Sequence, residues 1–234
     1  MADTDAFDTV MAYLETSPEI DIDHVYGLMR EHYGLTDLMY LEAERIGGHY
    51  HARSLECTHA RNRAGPCFSA EGRVEDRALV MALQSFRPLD YDYVRRSAGA
   101  DAYLTVTVTA DDRPMQGLAL PQACPPGRAA VLIVEAGMAS SDWRLFLHRH
   151  QRDLQFIAIL FHSALTDRSG APARPDVTLT PRERAVVDAT RKGRPAREIA
   201  AGLGMAEQMV GFFLKNGLRK LEAIGAGTPA PLIS

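Results

Sequence analysis

No apolar run in this chain approaches the roughly 20 residues needed to cross a bilayer. Its opening, MADTDAFDTV, is acidic where a secretory leader is basic and then apolar. These absences predict a cytoplasmic protein with no membrane partner. Cysteine is scarce: Cys57, Cys67 and Cys124 make no CxxC pair and leave an odd thiol, which suits a reducing compartment better than a disulfide framework. Catalytic signatures are missing too. No Ser-His-Asp order, glycine-rich phosphate loop or paired-carboxylate segment stands out, so the chain is not expected to be an enzyme. Cys57-Thr58-His59 and His148-Arg149-His150 have no second cluster to complete a metal site. On a helix His148 and His150 point roughly 200° apart, at about 100° per residue. No metal and no obligatory cofactor is expected.

What is present is the composition of a globular protein, 46% hydrophobic and 24% charged. Its 234 residues leave room for one sizeable core and a small second domain. The net charge of −4 is unevenly spread. Residues 176–224 carry nine Arg/Lys against six Asp/Glu, and residues 1–175 seventeen against twenty-four. A basic module on an acidic body is the balance of a DNA-contacting domain joined to a sensing or assembly domain. The stretch TDRSGAPARPDV is rich in Pro, Gly and Ala and has no apolar period, so it reads as a linker. The predicted boundaries are 1–167 for the first domain, 168–176 for the linker, 177–224 for the second domain and 225–234 for a tail.

Within the first domain, AFDTVMAYLE, DHVYGLMREHYG and RVEDRALVMALQSF have helical apolar spacing, and DLMYLEAERI and AYLTVTVTA read as strands. MQGLALP and AAVLIVEA flank the Pro-Gly turn QACPPGR and predict an antiparallel hairpin. Trp143, Phe146, His150, Leu154, Ile157, Phe161 and Leu165 recur at three-and-four spacing. They predict a helix of about 24 residues with one buried face, capped by Ser141. Helices around an antiparallel sheet make an α+β fold, an α-β-α sandwich.

The second domain opens on Thr180-Pro181-Arg182-Glu183, which has the form of a capping box. The helix that follows stops at Gly193, a second over 196–203 closes at Gly204, and a third starts near Ala206. The third helix is expected to bury Val210, Phe213, Leu214, Gly217, Leu218 and Leu221, with Gln208, Phe212, Lys215 and Arg219 on the other side. Three short helices with a glycine turn between the last two are either a helix-turn-helix, whose third helix enters the major groove, or a small helical packing module. The residues resemble the first. L-T-x-R-E, E-I-A, the glycine turn and V-x-x-x-L-x-N-x-x-R-K-L are similar to the LuxR-type helix-turn-helix.

In that family the residue before the central valine touches phosphate, and three positions after it face base edges. The resemblance puts these at Met209 and at Gly211, Phe212 and Lys215, with Arg197, Gln208, Arg219 and Lys220 as further DNA-contacting positions. Several residues depart from the pattern. Met209 cannot donate a hydrogen bond to phosphate, Gln208 is neutral where Arg or Lys is frequent, Gly211 offers no side chain, and Phe213 replaces a frequent His. No periodic segment follows in AIGAGTPAPLIS, where the family has a fourth helix. Poorer base readout is expected.

The first domain resembles the family's autoinducer-binding domain. Asp76 is followed after fifteen residues by Tyr91 in SFRPLDY, then by MQGLALPQACPPGR and by DWRLFLHRHQRDLQFIAILFH. The resemblance implies a pocket for an acyl-homoserine lactone with Asp76, Tyr91, Gly117 and Ile133 as its ligand-binding positions. Here too there are departures. Arg77 replaces a proline, Tyr91 a tryptophan and Ile133 a strand Thr/Ser, and the aromatic positions thirteen and nine residues before Asp76 fall on Arg63 and Cys67. A buried Asp76 needs a donor, with Arg77 a candidate.

The expectation is therefore a dimeric LuxR-type transcription regulator that binds double-stranded DNA. It senses a small apolar signal molecule, an acyl-homoserine lactone or another, or no ligand at all, and it is not expected to answer a standard lactone. The alternative is a DNA-impaired interaction protein, an anti-activator that pairs with an intact LuxR-type regulator.

Overall fold

The computed structural model describes residues 3–17, 19–58, 67–69, 71–98, 115–167, 179 and 181–225; the side chains at 3–5, 181, 208, 219–220 and 222–225 are outside that description. The strand expected over 102–110, the linker at 168–176, Thr180, His59, Arg63 and nearly all of the tail lie outside the described residues.

The element order is α1 (Asp3–Thr16), α2 (Ile22–Tyr33), β1 (Asp37–Ile46), β2 (His49–Cys57), α3 (Arg77–Gln84), β3 (Leu89–Asp90), α4 (Tyr91–Ala98), β4 (Gln116–Gln122), β5 (Arg128–Ala136), α5 (Ser140–Asp167), α6 (Pro181–Arg191), α7 (Ala196–Leu203) and α8 (Glu207–Gly225). Among the described residues, five strands form one antiparallel sheet in the order β2-β1-β5-β4-β3. The β4–β5 hairpin expected around the Pro-Gly turn is present, and β1 has the predicted limits.

Side chains alternate across a strand, and this sorts the sheet residues into two cores. Leu38, Tyr40, Leu118, Leu120, Leu132 and Val134 point to one face and pack with Val10, Met29, Trp143, Leu154, Ile157 and Phe161 of α1, α2 and α5. Met39, Leu41, Ala119, Val131 and Ile133 point to the other face, toward Leu79, Leu83, Tyr91 and Val94 of α3 and α4. Helices thus cover both faces, and the chain has the expected α+β architecture with a helical C-terminal region.

Four elements differ from expectation, each for a local reason. The helix expected over 73–86 starts at Arg77, because the Asp76 carboxylate accepts the Leu79 N–H at 2.9 Å as an N-cap. Arg73 and Val74 instead bridge to His51 and Phe68. Helix α5 begins at Ser140 and runs 28 residues, so Ser141 lies inside it. β2 was not anticipated, although Gly47 and Gly48, at φ 58° and 85°, make the turn that pairs it with β1. Nor was α4, whose mean hydropathy is too polar to stand out from sequence. Tyr91 and Val94 anchor it at 1% and 2% exposure.

The free edge of β2 is covered by the segment around Gly72. The Ala52 N–H donates to the Gly72 carbonyl and the Val74 N–H to the Tyr50 carbonyl, both at 2.8 Å.

Candidate DNA interface and sensory core

Helices α6 and α7 end where their glycines allow the chain to turn. Gly193 and Gly204 adopt φ 73° and 60° at the ends of α6 and α7, the left-handed conformation that lets a helix stop and the chain turn. Val186, Val187, Ile199, Ala200, Met205, Val210 and Phe213 close the module's interior. Leu218, expected inside, is 42% exposed, and Asn216 is buried in its neighbourhood on α8.

Arg197, Gly211 and Lys215 are exposed. The backbone of α8 carries Gln208, Arg219 and Lys220, but their side chains are outside the described set. Phe212, expected on the outward side, is 4% exposed, and Met209 is equally covered. The cause is the first domain. The Phe212 ring stacks on Phe68 with centroids 6.3 Å apart and an interplanar angle of 25°. It also lies so close to Gly72 that a Cβ there would sit 2.9 Å from Phe212 Cδ2.

The sheet face toward α3 and α4, the lower of the two, is therefore one continuous core with the interior of the module. Burying a phenylalanine is worth roughly 1.5–3 kcal/mol. Arg182 at the start of α6 ties the same surfaces together. Its guanidinium donates to the Cys57 carbonyl and lies 3.5 Å from Glu56 Oε2, with both side chains about nine-tenths buried. Sequence reasoning missed this role of Arg182, which entered it as one letter of the capping box and of the L-T-x-R-E motif.

Above the same sheet face, the four expected ligand positions are buried: Asp76 at 5%, Tyr91 and Ile133 at 1% each, and Gly117 within β4. Asp76 is served by the amide of Leu79, while Arg77 is exposed. The Tyr91 hydroxyl donates to Glu135 Oε1 at 2.7 Å. Gly117 is where the Tyr91 ring approaches the strand, since a Cβ there would lie 2.5 Å from Tyr91 Cζ. Glu135 was not singled out from sequence, yet its strand parity with Val131 and Ile133 aims it at this face. Among the described residues, no group of His, Cys, Asp and Glu is arranged to hold a metal.

A separate cleft of about 680 Å³ lies on the opposite side, between α5 and the β4–β5 hairpin; Phe86, Pro121, Cys124, Arg128, Ile159 and His162 are among its lining. None of the four expected ligand positions lines it. The Tyr40 hydroxyl contacts His162 Nδ1 at 2.8 Å, and Cys124 Sγ lies 3.7 Å from Nε2. Burial pushes the Tyr40 phenol well above its ordinary range and the His162 imidazole down. The two groups therefore share one hydrogen bond with both of them uncharged.

The helical module has a match among known protein families. Residues 177–225 match the model of bacterial regulatory proteins of the luxR family. The C-terminal domain is a LuxR-family helix-turn-helix. Among curated proteins, the chain is 32% identical over 107 residues to the transcriptional activator protein RaiR of Rhizobium etli, covering 45% of this chain and 44% of that one. It is 27% identical over 105 residues to the transcriptional activator protein CarR of Pectobacterium carotovorum subsp. carotovorum, covering 42% and 43%. The match thus spans less than half the length of either relative. Among solved structures, SdiA in complex with octanoyl-rac-glycerol gives a TM-score of 0.45 at 14% identity, covering 92% of this chain and 88% of that one. Escherichia coli SdiA in the space group P6522 gives 0.38 at 13%, covering 97% and 98%. No helix among the described residues is long and apolar enough to cross a membrane.

Proposed function

We propose that the chain is a LuxR-type transcription regulator that works as a dimer and binds duplex DNA through α8. The observation that carries this reading is the LuxR-family domain itself, with Lys215 and Arg197 exposed on it. Lys215 is assigned to a base edge and Arg197, Arg219 and Lys220 to phosphates. Dimerisation is supported by the outer face of α5, where Leu145, Phe156 and Ile159 are 51%, 48% and 54% exposed at helical spacing. A pair of modules must present two α8 helices about 34 Å apart to enter successive major grooves.

The first domain is read as the sensor, for a small apolar molecule other than a standard acyl-homoserine lactone. Three features support that choice. Ile133 has no hydroxyl for a carbonyl, the Tyr91 hydroxyl is engaged by Glu135, and an Asp76 oxygen is engaged by the start of α3.

Duplex binding measured across a salt series tests the proposal. Affinity falls steeply as salt rises, and Lys215→Ala weakens binding; if Lys215 touches phosphate instead of a base, the log-log slope drops by about one. Buried Phe212 and Met209, with Gly211 bare, favour a second reading, the interaction protein. Absence of any duplex complex at low salt, together with a stable mixed dimer with an intact LuxR-type regulator on sizing, would establish that reading instead.

A further inference from the structure

We infer that the cleft between α5 and the β4–β5 hairpin is where the first domain takes its signal, a neutral two-ring aromatic molecule with one hydroxyl group. The inference rests on the reading of that domain as a sensor. It moves the site from the sheet face that holds Asp76, Tyr91, Gly117 and Ile133 to the upper face, toward α5.

Strand parity builds one wall. Glu42 of β1 and Leu120 and Gln122 of β4 share the parity of Tyr40, which puts them on the upper face. The facing wall is a stripe of α5 at helical spacing, Gln155, Ile159, His162, Ser163 and Thr166. The space between them, about 680 Å³, is within the roughly 300–1,000 Å³ of small-molecule sites.

The lining selects the ligand. Phe86 is fully exposed and Ile159 more than half exposed, one from the segment after α3 and one from α5. With Pro121 and Pro125 they offer flat apolar surface to a ring, and Phe86 offers it a stacking partner. Glu42 and Arg128 are the ionised side chains of the lining, opposite in sign and paired at 3.7 Å. Burial keeps the His162 imidazole neutral, against the pull of Glu42 and the Ala123 carbonyl. A neutral ligand leaves this balance intact, whereas a charged one adds an unpaired charge. The polar groups that remain, the Tyr40–His162–Cys124 row and the Gln155 amide, are uncharged donors and acceptors. A hydroxyl, donor and acceptor in one, suits them.

Ile159 belongs both to this cleft and to the outer α5 face read above as the pairing surface. A ring bound against it extends that apolar face. Filling the cleft therefore favours the pair, and pairing tightens ligand binding by the same factor.

The test titrates the full chain with β-naphthol, followed by its fluorescence. Naphthalene, which lacks the hydroxyl, and β-naphthoate, which carries a charge, are titrated beside it. Labelling by N-ethylmaleimide locates the bound molecule, because Cys124 is part of the cleft lining whereas Cys57 and Cys67 are 5% and 0% exposed. β-Naphthol should bind about tenfold more tightly than either analogue. At about ten times its Kd it should slow Cys124 labelling about tenfold, with Cys57 and Cys67 unaffected. Phe86→Ala, at a side chain outside the packed core, should weaken β-naphthol about fivefold. Saturating β-naphthol should lower the dimer dissociation constant by about fivefold or more, read by sedimentation.

No binding of β-naphthol, or binding that leaves Cys124 labelling unchanged, would overturn the cleft as the site and leave the sensor reading standing on the other sheet face. Equal affinity for β-naphthoate would overturn the neutral class, and equal affinity in Phe86→Ala would overturn the role of the exposed ring. Binding that protects Cys124 and leaves the dimer constant unchanged would overturn the sensor reading and keep the cleft as a ligand site.

Discussion

The two faces of the sheet are sealed in different ways. One is closed by α1, α2 and α5 of the same domain, with Trp143, Tyr26, Leu154 and Phe161 at 2% exposure or less. The other is closed partly by α3 and α4 and partly by the helix-turn-helix, through Phe68, Gly72, Glu56 and Cys57. A sheet that buries its upper face within the domain has a fixed core. A lower face that borrows a neighbour's residues has a boundary that can be crossed without unfolding the sheet. The rings on the two faces are comparable in size, so burial alone does not separate them. What separates them is whether the covering helices belong to the same fold.

The largest expected effect sharpens that contrast. Trp143→Ala removes the indole from the fixed face and should lower unfolding stability by roughly 3–5 kcal/mol, seen as a drop in urea midpoint for the whole first domain. Phe212→Ala on the borrowed face should leave that midpoint close to wild type. Equal losses in the two variants would erase the distinction between the faces.

Next comes Gly117→Ala, on the part of the lower face that α4 covers. The added Cβ meets the Tyr91 ring at 2.5 Å, and overpacking of this kind typically costs about 1–3 kcal/mol. The midpoint should fall, and with it the Tyr91 to Glu135 hydrogen bond, visible as a changed tyrosine absorbance. A neutral outcome would mean that α4 shifts as readily as the helix-turn-helix.

Smaller and opposite in sign is Gly211→Ala. Position 211 is exposed, and a methyl group added there would have nothing within 4 Å, so the helix should gain up to about 1 kcal/mol, read as a higher melting temperature of the helix-turn-helix. A loss would place another surface against that side of α8.

The smallest effect concerns the upper face alone. Burial lowers the folded-state pKa of His162 below its unfolded value, so the unfolded chain takes up the proton first as pH falls. The stability due to the neutral ring is complete above the unfolded pKa, near 6.5, and declines as pH drops through it until the folded ring also protonates. His162→Gln should flatten this part of the stability profile. An unchanged slope would assign it to other groups.

Much of this fold was legible because its signals are local. The 3.6-residue spacing of Trp143, Phe146, Leu154, Ile157 and Phe161 gave α5, the Pro-Gly turn gave the β4–β5 hairpin, and the run DLMYLEAERI gave β1. The strand β2 was hidden because a register shift opposite Glu42 and Ala43 breaks the alternation of its apolar side, Tyr50 and Ala52 before it and Leu55 and Cys57 after it, and what holds it is pairing with β1 and with Gly72. The helix start at Arg77 turned on one carboxylate choosing the Leu79 amide. At the proposed DNA interface, the sequence singled out Lys215 and Arg197, which are exposed, but it could not place Phe212. Its burial depends on Phe68 and Gly72, far away in the chain and brought there by tertiary packing. The same holds for Arg182 and Glu56, and for Tyr91 and Glu135: each pair joins distant segments, and neither member has a motif that announces the other.

Gly72 sits under two separate constraints. Its φ of 82° would trouble any L side chain wherever α8 happened to be, whereas the collision with the Phe212 ring exists just while that ring is in place. A methyl group at this one site thus incurs one cost that is permanent and another that vanishes on undocking. The difference between those costs makes the residue a ruler for how far apart the two halves of the chain stand.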